Sequence, residues 1–256
     1  MKFVLFFVFL GFCESFMYYT PDTYPNSLWN PVACGLRMTG LACDPNHILG
    51  NHTAEELNIL LKNVQYTTNC SCEDKNKCYN PSEGFTISVA VLNKISDDDT
   101  VVNATLEHRL KLAQIFADAL RIRQDRGNCG DDILIVLSKS DTVIYTSLGS
   151  TASKYLTREF IRKVDKKVAA KLDNKEYFET LSEMILIYDD ILKGKSVEEK
   201  LKEPWYHPLP LWAVWAIGGA IVFLLLLTIL VTVFCCYKRR KNREYSVGRV
   251  NYNTRM

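Results

Sequence analysis

The sequence has few of the residue patterns that enzymes and nucleotide-binding proteins use. It contains four histidines, His47, His52, His108 and His207, and no two of them have the helical spacing of a metal-ligand pair. It also lacks a nucleophile elbow, a glycine-rich phosphate loop and a kinase signature. No internal repeat or low-complexity tract divides the chain. These absences disfavour the common hydrolase, nucleotide-binding and repeat classes.

Charged residues are absent from a continuous apolar run over 211–234. A helix of this length extends about 36 Å, more than the hydrocarbon core of a bilayer, which is about 30 Å thick. Two cysteines follow, Cys235 and Cys236, and then a basic cluster made of Lys238, Arg239, Arg240 and Lys241. The sequence therefore predicts a transmembrane helix over 211–236 and a basic tail over 237–256.

The two ends of the chain predict its topology. Lys2 is followed by the apolar stretch Phe3–Phe12 and then by small residues, which is typical of a secretory signal peptide and predicts one over 1–15. Seven Lys or Arg residues lie in 237–256, against four in 191–210, and the positively charged side of a span stays in the cytoplasm. We therefore predict a type I protein of the plasma membrane with an extracellular N-terminus and a cytoplasmic C-terminus.

Net charge is divided between the tail and the rest of the chain. The tail has seven basic residues and one acidic residue, a net of +6. Without the tail and the predicted signal peptide, 23 basic and 27 acidic residues remain, a net of −4. A basic tail suits the anionic inner leaflet, where each Lys or Arg near the surface gains about 1 kcal/mol. This distribution does not support nucleic-acid binding.

Six cysteines lie in the predicted extracellular part: Cys34, Cys43, Cys70, Cys72, Cys78 and Cys129. An even number in an oxidising compartment predicts disulfides, with 15 possible connectivities. We expect Cys70 and Cys72 not to bond each other, so at least one of them should reach Cys129 or the 34/43 pair. A zinc site that uses Cys70, Cys72 and Cys78 is the alternative. For Cys235 and Cys236, S-palmitoylation is predicted, with two reduced thiols as the alternative.

Three sequons predict N-glycosylation, at Asn51, Asn69 and Asn103. Asn51 and Asn103 have the surroundings of a loop or a helix start. Asn69 has a predicted disulfide cysteine as the middle residue of its sequon. All three fit an extracellular domain.

Periodicity divides the extracellular part into an N-terminal arm over 16–50, pinned by disulfides, a domain over 51–194 and a proline-containing linker over 195–210. In its first part, the domain pattern predicts a helix behind a capping box at Thr53–Glu56, a strand over 85–92 and a helix over 105–123. In its second part, it predicts a strand over 133–137 with a hairpin partner over 142–146, and then helices over 153–172 and 175–193. The apolar stripe of the second helix includes Leu106 and Leu110, and Asn174 is expected to cap the last helix. Buried strands between amphipathic helices predict an α/β fold, a mixed sheet with helices on both faces.

The segment Leu41–Leu49 resembles a signature of the nematode modulator-of-levamisole-receptor proteins. Residues 130–138, followed by 142–145, resemble the core of the TPM domain, and the likeness extends in order over about residues 20–190. The resemblance implies an α/β/α sandwich with a small mixed sheet. For animal members it implies an auxiliary subunit of pentameric acetylcholine-gated channels. Some plant members are associated with acid phosphatase activity, and some of these domains bind calcium.

Three carboxylates match acidic positions of that domain: Asp44, Asp131 and Asp132. Together they are candidate ligands for Ca²⁺ or for a metal that assists phosphate-ester hydrolysis. The alternative is that Asp44 begins a turn with Pro45 and that the other two end a loop before a strand. We favour this alternative because spacing identifies no further ligands.

The sequence therefore predicts a binding protein without a cofactor. The leading hypothesis is a non-enzymatic auxiliary subunit that modulates a ligand-gated channel, and its partners would be the membrane and pentameric channel subunits. A metal-dependent ectophosphatase and a cell-surface adhesion module are the alternatives.

Overall fold

The structure is a computed structural model, and it describes residues 18–49, 51–78, 83–96, 105–201 and 211–252. The chain forms two compact units, 1–202 and 203–256, and each is described by itself. The predicted signal peptide over 1–15, the glycosylation candidate Asn103 and most of the predicted linker lie outside the described residues.

A four-stranded sheet is the centre of the first unit. The strands are β1 (Tyr18–Tyr19), β2 (Ala42–Cys43), β3 (Thr86–Leu92), β4 (Lys94–Ile95), β5 (Asp132–Ser138) and β6 (Val143–Leu148). The order in the central sheet is β2-β3-β5-β6, in which the first three strands are parallel and β6 runs antiparallel to β5. The predicted hairpin is therefore confirmed. Strands β1 and β4 form a separate parallel pair.

The helices of the first unit are α1 (Asn51–Thr67), α2 (Leu106–Gln124), α3 (Ala152–Tyr155), α4 (Arg158–Asp173), α5 (Tyr177–Leu192) and α6 (Glu198–Leu201). Short 3₁₀ turns lie at Val32–Cys34 and Lys75–Lys77. Thr105 caps α2, because its side chain accepts a hydrogen bond from the backbone N–H of His108 at 3.3 Å. Thr157 caps α4 in the same way.

The residues of β3 alternate between two apolar layers. Ile87, Val89 and Val91 pack in the layer that contains α1, α4 and α5, whereas Ala90 and Leu92 pack in the layer that contains α2. Every residue of β3 and of β5 is buried, as the two-sided apolar pattern predicts. Helices therefore cover both faces of the sheet, and the α/β/α sandwich with a small mixed sheet is confirmed.

Several helix boundaries differ from the prediction. Helix α1 begins at Asn51, before the predicted capping box at Thr53–Glu56, which makes the Asn51 sequon part of the first helical turn. The helix predicted over 153–172 is two helices, α3 and α4, because Leu156 between them has the extended backbone angles φ −102° and ψ 92°. Asn174 follows the end of α4 instead of capping α5, and Lys175 takes a positive φ of 64°.

The apolar stripe of α2 is buried only in part. Ala113, Phe116 and Leu120 are buried against the sheet, as predicted. Leu106 and Leu110 are 55% and 38% exposed. The prediction for these two residues is wrong, because helical spacing gives the face of a helix but not how far the sheet extends beneath it.

The segment predicted as an extended arm is built into the domain. It contributes β1 and β2, neither of which was predicted. Tyr24 is buried between them, and its hydroxyl donates to the carbonyl oxygens of Cys43 at 2.7 Å and Val91 at 3.0 Å. These bonds tie the arm to the edge of the sheet.

The described part of the second unit, residues 211–252, is one helix, α7 (Leu211–Tyr252). By length and composition, its segment Trp215–Cys236 is a candidate membrane span of 22 residues. It fits a single-pass membrane protein and lies within the span predicted over 211–236. The helix continues past Cys236 into the segment predicted as the tail.

Asp165 on α4 is a partly buried carboxylate with one buried oxygen. Among the described residues, its Oδ1 has no hydrogen-bond partner. Burial raises the pKa of this carboxyl to about 7, while the positive charge of Arg158 opposes the shift. Tyr188 and Tyr145 are the titratable groups whose own pKa values Asp165 raises in return.

We predict that Asp165 makes stability depend on pH. A raised pKa means that the folded state holds the proton more tightly, so the free energy of unfolding should fall as pH rises from 4 to 7 and stay lower above 7. The full effect is at most about 4 kcal/mol, from about 1.4 kcal/mol per pKa unit. Asp165→Asn should flatten this slope in urea unfolding of the detergent-solubilised protein at pH 5, 6, 7 and 8. An unchanged slope would contradict the assignment.

Candidate functional site

Asp44 lies directly after β2 and holds the turn that leads to α1. Its side chain is buried, and its oxygens accept hydrogen bonds from the backbone N–H groups of Ile48 at 2.9 Å and Leu49 at 2.6 Å. Burial raises the pKa of this carboxyl, and the backbone hydrogen bonds oppose that shift in part. Both oxygens have donors, so this geometry favours a structural role in the turn.

Asp131 and Asp132 lie at the start of β5, where they face different partners. Asp132 Oδ2 is 2.9 Å from Arg121 Nη1 of α2, a half-buried ion pair. Asp131 is fully buried, and its Oδ1 accepts a hydrogen bond from the backbone N–H of Asn128 at 2.8 Å. A Cβ at Gly127 would lie 2.9 Å from an oxygen of each carboxylate, so only glycine fits between them.

The three candidate carboxylates do not form one site. The strand register places Cys43 level with Ala90 and Val136, and Asp132 level with Thr86. Asp44 is therefore level with the position after Val136, five residues along β5 from Asp132, or about 17 Å at about 3.3 Å per residue. A single ion cannot contact all three. The resemblance placed them together because all three match acidic positions of one domain. A sequence match does not show where each residue lies along its strand.

The residues around Asp131 and Asp132 do not fit a calcium site. Ca²⁺ takes six to eight oxygen ligands, whereas the described residues offer two adjacent carboxylates. One of the two is already neutralised by Arg121. Calcium binding and metal-assisted hydrolysis therefore stay predictions from the resemblance, and nothing in this geometry adds to them.

Arg121 belongs to a polar network that joins α2 to the sheet. Its Nε donates to Ser147 Oγ at 3.0 Å, and that hydroxyl donates to Asp118 Oδ1. The positive charge of Arg121 therefore lies between the carboxylate of Asp132, which it contacts directly, and that of Asp118, which it reaches through Ser147. No local pattern predicts this network, because Asp118 and Arg121 have the spacing of solvent-facing residues on a helix and their partners lie on β5 and β6.

The structure selects one connectivity for the six predicted disulfide cysteines: Cys34–Cys43, Cys70–Cys78 and Cys72–Cys129. The expectation that Cys70 or Cys72 reaches outside its own loop is met by Cys72–Cys129, which spans 57 residues. The sulfurs of Cys70, Cys72 and Cys78 lie within 4.8 Å of one another, as a zinc site would require. All three are in disulfides and have no thiolate to offer a metal.

A loop within the arm exposes several large apolar side chains. We call residues 27–40 the arm loop. Its ends are joined because Ser27 Oγ donates to the Gly40 carbonyl at 2.6 Å and the Gly40 N–H donates back at 3.3 Å. The disulfide Cys34–Cys43 anchors its middle to β2. A Cβ at Gly40 would lie 2.5 Å from Asn58 Oδ1, so α1 packs directly against this end of the loop.

Arg126, just beyond α2, donates hydrogen bonds to residues at the base of the arm loop. Its guanidinium donates to Ser27 Oγ at 3.0 Å, to Asn26 Oδ1 at 3.2 Å and to the Gly40 carbonyl at 3.3 Å. Burial lowers its pKa to about 10, which still leaves it charged at neutral pH. Arg123 adds hydrogen bonds to the carbonyls of Asp22 and Tyr24. Sequence reasoning missed both arginines, because these contacts join residues about 100 positions apart.

The arm loop presents large apolar side chains to solvent. Trp29 is 86% exposed, Val32 77% and Met38 73%, and Leu28 is also exposed. Aromatic residues and methionine are enriched in protein interfaces relative to other surfaces. A loop whose base is fixed by a disulfide and a buried arginine, and whose surface is apolar, is suited to contact another protein.

The modification candidates lie in separate parts of the chain. Asn69 is exposed and lies between α1 and the buried Cys70. Asn51 is the first residue of α1. Cys235 and Cys236 end the candidate span and are not disulfide-bonded, and Lys238 follows in the same helix. Glycosylation, S-palmitoylation and lipid contact through the basic cluster stay predictions.

Comparison with known proteins gives one family. The sequence model described as "Modulator of levamisole receptor-1" matches residues 19–142, which include the arm loop, the candidate carboxylates, α2 and β5. No curated protein matches the chain.

Two solved structures resemble the chain. The N-terminal domain of a protein from P. gingivalis is 19% identical, with a TM-score of 0.49 over 70% of this chain and 94% of that one. The BA42 protein from the psychrophilic bacterium Bizionia argentinensis is 10% identical, with a TM-score of 0.38 over 62% of this chain and 89% of that one. Both TM-scores are below 0.5, so neither structure is used to assign the fold, which follows from this chain's own structure.

We predict that Arg126→Met loosens the arm loop. The variant keeps the apolar stem and removes the donors to Ser27, Asn26 and Gly40, which should cost about 1–3 kcal/mol of local stability. Limited trypsin digestion should then cut faster after Arg37, an exposed residue of the loop. Arg162→Met, at an exposed position of α4, is the matched control and should digest like the wild type. Equal cleavage of both variants after Arg37 would refute this role.

Proposed function

We propose that this chain, whose residues 19–142 match the model described as "Modulator of levamisole receptor-1", is a non-enzymatic auxiliary subunit of a ligand-gated ion channel. The family name supports an action on a levamisole receptor, and we infer that the channel is a pentameric acetylcholine receptor. The observation that carries the proposal is the arm loop, which lies inside the matched segment and exposes Trp29, Val32 and Met38.

The arm loop supports binding because it is ordered before a partner arrives. Association loses free energy when side chains and loops become ordered, at about 0.5–1.5 kcal/mol for each immobilised flexible side chain. Here a disulfide, the bonds between Ser27 and Gly40, and Arg126 already fix the backbone. A tryptophan on such a loop is the residue type that most often dominates an interface. We propose that Trp29 inserts into an apolar pocket of the channel's extracellular domain.

Modulation requires that the chain bind one gating state more tightly than another. A differential of about 1–3 kcal/mol would change the gating equilibrium about 5- to 150-fold. Loss of a single buried aromatic contact typically costs 2 kcal/mol or more, which is comparable to the whole effect. One anchored loop that fits only one state is therefore sufficient in energy.

The proposed arrangement is a type I plasma-membrane protein. The first unit would lie outside the cell, α7 would cross the bilayer through Trp215–Cys236, and the basic residues after it would contact anionic lipid of the inner leaflet. Palmitoylation of Cys235 and Cys236 would add anchoring at that boundary. This topology would tether the first unit, with its arm loop, to the same membrane as the channel.

We predict that Trp29→Ala combined with Met38→Ala abolishes modulation while the protein still folds. Both side chains are exposed, so the free energy of unfolding should change by less than about 0.5 kcal/mol for each. Agonist currents would be recorded from cells that express a pentameric acetylcholine receptor alone, with the wild type or with the variant, at equal surface expression. The change that the wild type causes should fall at least about tenfold in the variant, if the lost contacts are worth about 1.4 kcal/mol or more.

Ile59→Ala is the matched control, because Ile59 on α1 is 66% exposed and lies outside the arm loop. It should modulate currents as the wild type does. A double variant as active as the wild type would exclude the arm loop as the contact. A wild-type chain that neither alters currents nor co-purifies with the receptor would overturn the proposed function itself.

A further inference from the structure

A buried oxygen of Asp131 lacks a hydrogen bond. The side chain is completely buried, and while Oδ1 accepts from Asn128 N–H, Oδ2 has no partner among the described residues. A buried acceptor without a donor destabilises a folded protein, and more so when it carries charge. A redox role is one of the known explanations for such a group.

The disulfide Cys72–Cys129 lies close to Asp131. The two sulfurs and a carboxylate oxygen of Asp131 lie within 4.8 Å of one another. A disulfide sulfur carries no hydrogen, so in the oxidised protein neither cysteine can donate to the carboxylate. A thiol can, since S–H is a weak donor. Reduction would therefore create two donors close to a buried carboxylate, one oxygen of which has no partner among the described residues.

We propose that Cys72–Cys129 is a redox modification site, which an external dithiol reduces more readily than Cys34–Cys43. Asp131 favours the reduced form by accepting a hydrogen bond from a newly formed thiol. This inference does not depend on the proposed channel partner, because it concerns the chemistry of the first unit alone.

The reduction follows ordinary thiol–disulfide exchange. A thiolate of the dithiol attacks the sulfur of Cys129, because Cys129 is a partly exposed residue whereas Cys72 is buried. The bond between the two cysteine sulfurs breaks, and its electron pair leaves on Cys72, which takes a proton. The second thiolate of the dithiol then attacks its own sulfur in the mixed disulfide and releases Cys129, which is also protonated. The protein gains two electrons and two protons, and the dithiol becomes a cyclic disulfide.

The disulfide Cys34–Cys43 lacks both features of this site. Both of its cysteines are buried, so a dithiol has no exposed sulfur to attack. The neighbouring carboxylate, Asp44, already accepts backbone hydrogen bonds on both oxygens. It therefore gains nothing from a new thiol. This disulfide is an internal reference for the reaction.

Reduction would free the segment 68–78, which follows α1 and which we call the cysteine-rich loop, from the core. Cys72–Cys129 joins that loop to the turn before β5, where Thr151 Oγ1 also holds the Cys129 carbonyl at 2.7 Å. Once the disulfide is cut, an exposed ion pair between Glu73 and Lys154 still links the loop to α3. An exposed pair of this kind stabilises little. The disulfide is therefore the covalent link between the cysteine-rich loop and the core that reduction would remove.

The test uses the purified full-length protein in detergent, with dithiothreitol as the probe. The protein is incubated at a series of ratios of reduced to oxidised reagent, and samples are quenched with acid at early and late times. The free thiols are then alkylated, and the labelled cysteines are identified by peptide mass. Early quenching is needed because the Cys72 sulfur lies within 4.8 Å of the Cys70 and Cys78 sulfurs and can exchange with them. Cys72 and Cys129 should be labelled at a reagent ratio several-fold lower than Cys34 and Cys43 require.

Asp131→Asn tests the role of the carboxylate. The amide keeps an acceptor for Asn128 N–H and replaces the unpartnered oxygen by an NH₂ group, so the ratio needed to reduce Cys72–Cys129 should rise several-fold, with Cys34–Cys43 unchanged. Asp165→Asn is the matched control, because Asp165 also has an unpartnered oxygen but belongs to neither sulfur cluster. It should reduce as the wild type does.

A second readout does not depend on the variant folding well. In the reduced wild type, the infrared S–H stretching band should lie at a lower wavenumber than that of a free thiol, because one thiol donates to a carboxylate. Simultaneous reduction of Cys34–Cys43 and Cys72–Cys129 in the wild type would overturn the proposal. So would an S–H band at the position of a free thiol.

Discussion

The parallel pairing of β3 with β5 is the constraint on which the rest of the structure depends. Seven residue pairs, from Thr86–Asp132 to Leu92–Ser138, are in register, and every residue of both strands is buried. A parallel pair needs a crossover that places a helix on one face. Helix α2 makes that crossover, and α1, α4 and α5 cover the opposite face. Each fully buried aliphatic side chain contributes about 1.5–3 kcal/mol, so the two layers stabilise the pairing from both sides.

The position of the arm loop follows from that central pair. Strand β2 adds to the free edge of β3, and Tyr24 hydrogen-bonds to carbonyls of both strands. Arg126 extends from the end of the crossover helix to the base of the loop. The apolar surface of the loop is therefore held by the same elements that form the core. A surface fixed in this way can distinguish two states of a partner, because it does not adapt equally to both.

Sequence periodicity located the strongly patterned elements well and the short ones not at all. The strand predicted over 85–92 is Thr86–Leu92, and the helix predicted over 105–123 is Leu106–Gln124. Strands β1 and β2 have two residues each and depend on pairing with Lys94–Ile95 and Val89–Ala90, far along the chain. Two residues carry no period, so no local pattern could reveal them. Arg126 was missed for a related reason, since its acceptors precede it by 86 to 100 positions.

The carboxylates that the sequence singled out differ in how well their hydrogen-bonding capacity is met. Both oxygens of Asp44 have backbone donors and Asp132 has Arg121, whereas Asp131 keeps one unpartnered oxygen, as Asp165 does elsewhere. The sequence identified the first three as acidic positions but could not separate these cases, because the donors come from other elements. A buried oxygen that already has donors gains little from a further one. A buried oxygen without one responds to any change that supplies a hydrogen, protonation at Asp165 and a neighbouring thiol at Asp131. Solution pH and redox state therefore act on the fold at these two oxygens, away from the arm loop.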